Sequence, residues 1–174
     1  MNHKRSGAEL VLAIFPSTRG FGYAVLEGPT SLLDWGVKSA RGGRKNTQSL
    51  QRARDLLRFY RPDVLVLEDY GGRSSRRATR IQKLIDAMNA LAAKHGVATV
   101  SFSRAEVRAC FSSAGVATKR HIAQAIAQEF PELEPRLPPV RKIWMSEDVR
   151  MNIFDAAALA MTFFDSKSRV KRAA

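Results

Sequence analysis

Two acidic residues stand where an acid is costly. Glu68 closes the apolar run Val64–Leu67, and Asp155 sits among Ile153, Phe154 and Ala156–Ala160. A carboxylate in such surroundings has to be hydrogen-bonded, paired or bound to a cation. Acids from separate elements that converge on Mg²⁺ or Mn²⁺ can form a two-metal centre for phosphodiester hydrolysis, because these hard ions take oxygen ligands. The competing reading is structural, with both acids hydrogen-bonded to backbone. Asp148, Asn152 and Asp155 are spaced i, i+4 and i+7 and would share one helix face, which makes Asp148 a candidate third ligand. It could equally be a first-turn acid favoured by the helix dipole after a cap at Ser146. Asp69, next to Glu68, should point to the opposite face of an extended strand.

The cations are as informative as the acids. Arg73, Arg76, Arg77 and Arg80 recur at i, i+3, i+4 and i+7, a basic stripe if a helix begins near Ser75. Arginine forks suit phosphate oxygens, and such contacts position a nucleic acid without reading its sequence. Tyr70 precedes Gly71-Gly72 and either stacks on an unpaired base or ends a strand, partly buried. Arg108, Lys119 and Arg120 form a second basic group, followed by His121, which reads as a surface histidine of a helix. Trp144 follows Arg141 and Lys142 and is expected to anchor its loop by packing, or else to touch nucleic acid. Over the 174 residues, 29 Lys and Arg against 16 Asp and Glu give a net charge of +13. Charge of that sign draws polyanions and gains from counterion release.

These residues need a scaffold. Glu9–Phe15, Phe21–Glu27 and Leu32–Val37 read as three strands joined by tight turns, hence an antiparallel meander. A helix is expected from about Asn46 to Tyr60, then a strand at Val64–Leu67 with Glu68. A long helix from about Ser75 to His95 carries the apolar stripe Ile81, Leu84, Ile85, Met88 and Leu91, with Gly96 as a left-handed stop. Val97–Phe102 is a fifth strand. Ser103 and Glu106 match a capping box, so a helix starts there. Another runs from about Lys119 to Glu129, and Pro131–Pro139, with four prolines, reads as a loop. The last helix is expected from Ser146 to about Phe164, ahead of a loose basic tail over 167–174. One domain over 9–166 follows a flexible start at 1–8. The order is that of an α/β, RNase H-like fold: a mixed five-stranded sheet, antiparallel β1-β2-β3 and then parallel β4 and β5, with helices on both faces.

Ile14-Phe15-Pro16-Ser17, then Arg19 and Gly22-Tyr23, then Val64–Glu68, and finally Asn152-Ile153-Phe154-Asp155-Ala156-Ala157-Ala158-Leu159-Ala160 occur in the order and spacing of a known family. The chain resembles the RuvC family of Holliday-junction resolvases over roughly residues 10–165. The family has Ile-Asp-Pro-Gly at the first motif and Asp-Ala-Ala-Asp-Ala-Leu-Ala at the last. The resemblance implies a branched-DNA partner, a homodimer paired through the region of Ile81, Leu84, Ile85 and Met88, and Mg²⁺ or Mn²⁺ held by four acids. It places nucleic-acid contacts at Tyr70 and near Arg108, Lys119 and Arg120. Two of the four acids are missing: Phe15 replaces the first-strand Asp and Asn152 the first Asp of the last helix. Glu68 and Asp155 remain, with Asp148 as a possible substitute. Phenylalanine cannot ligate a cation, and losing one such electrostatic group costs on the order of 3 kcal/mol of transition-state stabilisation. Cleavage is therefore expected to be weak or absent, and metal weakly bound or not bound at all.

Other classes are less well served. The apolar stretches are too short for a membrane span, the start does not read as a signal peptide, and the single Cys110 excludes an internal disulfide. Cys110 reads as a small apolar helix residue, and the chain as cytoplasmic. An actin-like ATPase would need paired Gly-rich phosphate loops, which are lacking. A metal-dependent junction endonuclease with a rebuilt site, and an RNA-binding or scaffold protein, remain the alternatives.

Overall fold

Unbroken apolar runs in the central strands call for a sheet whose middle is buried on both sides. The computed structural model describes residues 7–71, 77–112 and 118–174. Strands β1 (Leu10–Ser17), β2 (Gly20–Glu27) and β3 (Leu32–Ser39) form the antiparallel meander, and β4 (Val64–Glu68) and β5 (Ala98–Phe102) add in parallel, in the order β3-β2-β1-β4-β5. Val11, Ala13, Phe15, Val64 and Val66 face one core. Leu10, Leu12, Ile14, Leu65 and Leu67 face the other. That two-sided burial explains the unbroken apolar runs of β1 and β4.

Helices α1 (Lys45–Tyr60) and α2 (Thr79–Lys94) cover the second core, and α3 (Arg104–Phe111), α4 (Lys119–Glu129) and α5 (Met151–Ala173) cover the first. Several ends follow local chemistry. Past α2, the Val97 N–H bonds to Ala92 C=O and Gly96 N–H to Ala93 C=O, with Gly96 at φ 67°, a Schellman stop. Ser103 and Glu106 close the expected capping box on α3, and the Thr118 hydroxyl accepts from His121 N–H at the start of α4. Gly22 is required for a different reason. A Cβ there would lie 2.1 Å from the backbone oxygen of Asn152, so the bare glycine lets α5 lie directly on β2.

Other expectations need correction. Helix α2 begins at Thr79, so Arg80 lies on it and Arg77 precedes it. Arg73 and Arg76 lie outside the described residues. Ile81, Leu84, Ile85 and Met88 are at most 2% exposed and pack into the chain's own second core. Lys83, Asp86 and Ala90 face outward instead.

The last helix starts at Met151, not after Ser146. Asp148 turns its carboxylate onto the N–H and guanidinium of Arg150 rather than entering a helix. It then runs on through the supposed tail, held by a Lys167–Glu9 ion pair and an Arg169–Asp165 pair one turn apart. Pro131–Arg136 is a 3₁₀ segment rather than an open loop, because Leu133 is fully buried. Trp144 is 80% exposed and anchors nothing. Among the described residues no helix is long and apolar enough to cross a membrane.

Candidate functional site

The parallel register between β1 and β4 pairs Val11 with Val64 and Ala13 with Val66. Continued by one pleat, it sets Phe15 beside Glu68 on the face that α5 covers. Both are nearly buried, and α5 brings Asp155 to the same cleft. The cleft encloses about 310 Å³, with Phe102, Val107, Ile122 and Leu159 among its apolar walls and Arg104, Arg108, Lys119 and Glu147 among its polar ones. Phe15, Glu68 and Asp155, the three residues singled out from sequence, thus line one cleft.

The arrangement around them was not foreseen. Arg77 reaches back from the approach to α2 and sets its Nε 2.6 Å and its terminal nitrogen 2.5 Å from Glu68 Oε2. Its guanidinium also lies 4.6 Å from the centroid of the Phe15 ring. Lys119, in the first turn of α4, places its Nζ 2.8 Å from Asp155 Oδ2 and 2.7 Å from Glu147 Oε1. That ammonium is 5.5 Å from the same ring. Both acids therefore carry a cation supplied by the chain, and both cations lie over the ring of Phe15.

Burial pushes the Asp155 carboxyl up to about 6, even though Lys119 pulls in the opposite direction. A carboxylate held that far from water is easier to protonate than an ordinary one.

These donors do not fit a divalent ion. The two acids are occupied by a guanidinium and an ammonium, and neither Phe15 nor the amide Asn152 supplies a charged oxygen. Among the described residues no cluster of three or more His, Cys, Asp or Glu is placed to hold a metal. Asp148 does not substitute. Its carboxyl is lowered from its ordinary value by the Arg150 guanidinium that holds it, and it borders the neighbouring groove rather than this cleft. Glu147, one residue earlier, is the acid that joins the site.

The remaining candidates are distributed unevenly. Arg108 is exposed at the cleft rim, with Arg104 beside it, a residue the sequence reading passed over although it opens a capped helix at the end of β5. Arg80 is committed to structure, donating to Asn46 Oδ1 and to the carbonyls of Ser17 and Thr18. Arg120 donates to the Pro138 carbonyl. Tyr70 packs its ring against the second core and gives its hydroxyl to Asp86, so it matches the partly buried strand end rather than a free stacking platform. Asp69 is exposed where Glu68 is buried, and accepts from Gly71 N–H. His121 is exposed on α4.

No protein-family model matches the chain, and no curated protein sequence does either. Solved structures do. Thermus thermophilus RuvC in complex with a Holliday junction substrate superimposes with a TM-score of 0.68 at 18% identity, covering 92% of this chain and 96% of that one. The yeast mitochondrial Holliday junction resolvase gives 0.61 at 12% identity, over 98% and 86% of the two chains. The fowlpox virus Holliday junction resolvase gives 0.52 at 15%, over 90% and 99%. At these identities the likeness establishes the fold: the chain has the RuvC-like, RNase H-type architecture over nearly its whole length.

Proposed function

We propose that this chain binds branched DNA, with four-way junctions as its preferred form, acts as a homodimer, and cleaves weakly or not at all. The reading rests on one observation: Arg77 and Lys119 neutralise the two surviving acids across the ring of Phe15. A cleft organised in this way has no need of an external cation, while Arg104 and Arg108 at its rim offer forks to backbone phosphates. The fold neighbours are junction resolvases, and the surplus of 13 positive charges supports a polyanion partner. The test compares a labelled four-way junction with linear duplex of equal length at moderate salt. Tighter junction binding with no products across a Mg²⁺ and Mn²⁺ series supports the proposal, and equal affinities remove its junction component.

A second reading has one observation in its favour. Glu147 and Asp155 share a single ammonium, so withdrawal of Lys119 toward a phosphate would leave two carboxylates facing each other near Glu68. Metal-dependent cleavage that disappears in both Glu68→Gln and Glu147→Gln would establish this reading in place of the first.

A further inference from the structure

The segment between the 3₁₀ turn and α5 exposes apolar surface that none of the described residues covers. Val140 is 77% exposed, Ile143 94%, Trp144 80% and Met145 48%. Single exposed apolar residues need no explanation, but four within six residues make a patch of the kind that marks a binding surface.

Its electrostatics narrow the choice of partner. Arg141 and Lys142 are exposed and have no acidic partner among the described residues, while the nearest acids, Glu147 and Asp148, are taken by Lys119 and Arg150. Lys142 holds its ammonium 5.4 Å from the Trp144 ring. The root of the loop is fixed, because Arg120 donates to the Pro138 carbonyl and Met145 N–H closes a turn on Lys142 C=O. Beneath it runs a groove of about 330 Å³ bordered by Arg120, Val140, Arg141 and Met145, and it shares Lys119 and Glu147 with the candidate cleft. A strand lying in the cleft is thus led directly to the loop.

We infer that residues 140–145 form a stacking wedge, in which Trp144 takes the face of an unpaired nucleobase while Arg141 and Lys142 hold the flanking phosphates. An aromatic face combined with free cations is the usual platform for single-stranded nucleic acid, tolerant of sequence because every base has a π-face. A second copy of this chain is the poorer occupant, since it would bring another unpaired Arg141 and Lys142 onto the first pair in a molecule already at +13. The inference rests on the reading that nucleic acid occupies the cleft, and it assigns the unpaired-base contact to this loop rather than to Tyr70.

The experiment uses the Trp35→Phe variant, which leaves Trp144 as the single tryptophan. Its emission is followed while a 5′-labelled oligothymidylate of about 20 nucleotides is added, with label anisotropy recorded in parallel; that length spans at least one strand-binding groove. Saturable quenching that tracks the anisotropy is expected. In the otherwise native chain Trp144→Ala should weaken oligothymidylate binding about tenfold and Trp144→Phe by no more than about threefold, with unchanged melting temperatures. Binding by anisotropy with Trp144 emission unaltered overturns the wedge and leaves the nucleic-acid reading intact. Absence of binding to both oligothymidylate and junction overturns that reading together with the wedge. A blue shift on adding vesicles one-third phosphatidylserine, or on concentrating the protein alone, without quenching by DNA, gives the loop to a membrane or to a second copy and equally overturns the inference.

Discussion

Phe15 and Asp155 carry the residue-scale consequences. Replacing the ring by a carboxylate removes the surface on which Arg77 and Lys119 rest and adds a fourth acid to Glu68, Glu147 and Asp155. Phe15→Asp is therefore expected to raise Mn²⁺ affinity at least about tenfold, measured by the loss of the free Mn²⁺ signal in electron paramagnetic resonance; an unchanged titration would mean the cations hold the acids regardless of the ring. Asp155 yields a pH prediction. Its folded carboxyl titrates near 6, above its ordinary value of 3.8, so the native state binds this proton more tightly than the unfolded chain does. The associated stability is complete below about pH 4 and is lost as the pH climbs through 6. Urea denaturation should show wild type losing roughly 2 kcal/mol more than Asp155→Asn between pH 4 and pH 7.

Glu68 and Asp155 were legible from sequence because an acid inside an apolar run has few physical options. Their counterions were not. Arg77 and Lys119 are long, flexible side chains at the starts of helices, and nothing in their spacing distinguishes a cation turned inward from one turned toward phosphate. Glu147 was concealed by its neighbour. The periodicity argument favoured Asp148, and it failed because the chain at that point is a turn and not a helix.

At the scale of elements, the strands, the limits of α1 and α4 and the caps at Gly96 and Ser103 could be read, whereas the start of α2 and both ends of α5 could not. The strands announced themselves through two-sided apolar runs, and the stops at Gly96 and Ser103 through residues with one strong conformational role. The start of α2 and both ends of α5 depend instead on side-chain bargains made across the fold: Arg77 with Glu68, Asp148 with Arg150, Lys167 with Glu9. The close approach of α5 to β2 is the contact on which the site's geometry turns, since the same helix carries Asp155. Gly22→Ala would drive a methyl into the Asn152 carbonyl and is expected to cost about 3 kcal/mol or to prevent folding, read from denaturation midpoints. A loss below about 1 kcal/mol would show that the helix can ride outward.

For the whole molecule, the division of charge matters more than its total. Within the cleft Glu68 and Asp155 each have an opposite charge belonging to the same polypeptide, in a chain whose net charge is +13. Association with DNA should then be governed by salt, its logarithm falling linearly with that of the salt concentration by about 0.9 for each phosphate neutralised on duplex arms. Arg104→Gln and Arg108→Gln should each flatten that slope by about one. On the proposed reading the cleft's acids are held by Arg77 and Lys119, so chelation should change little. Junction affinity measured in EDTA should match that in millimolar Mg²⁺ once ionic strength is equalised, so this protein would remain able to hold its substrate in a medium stripped of divalent ions.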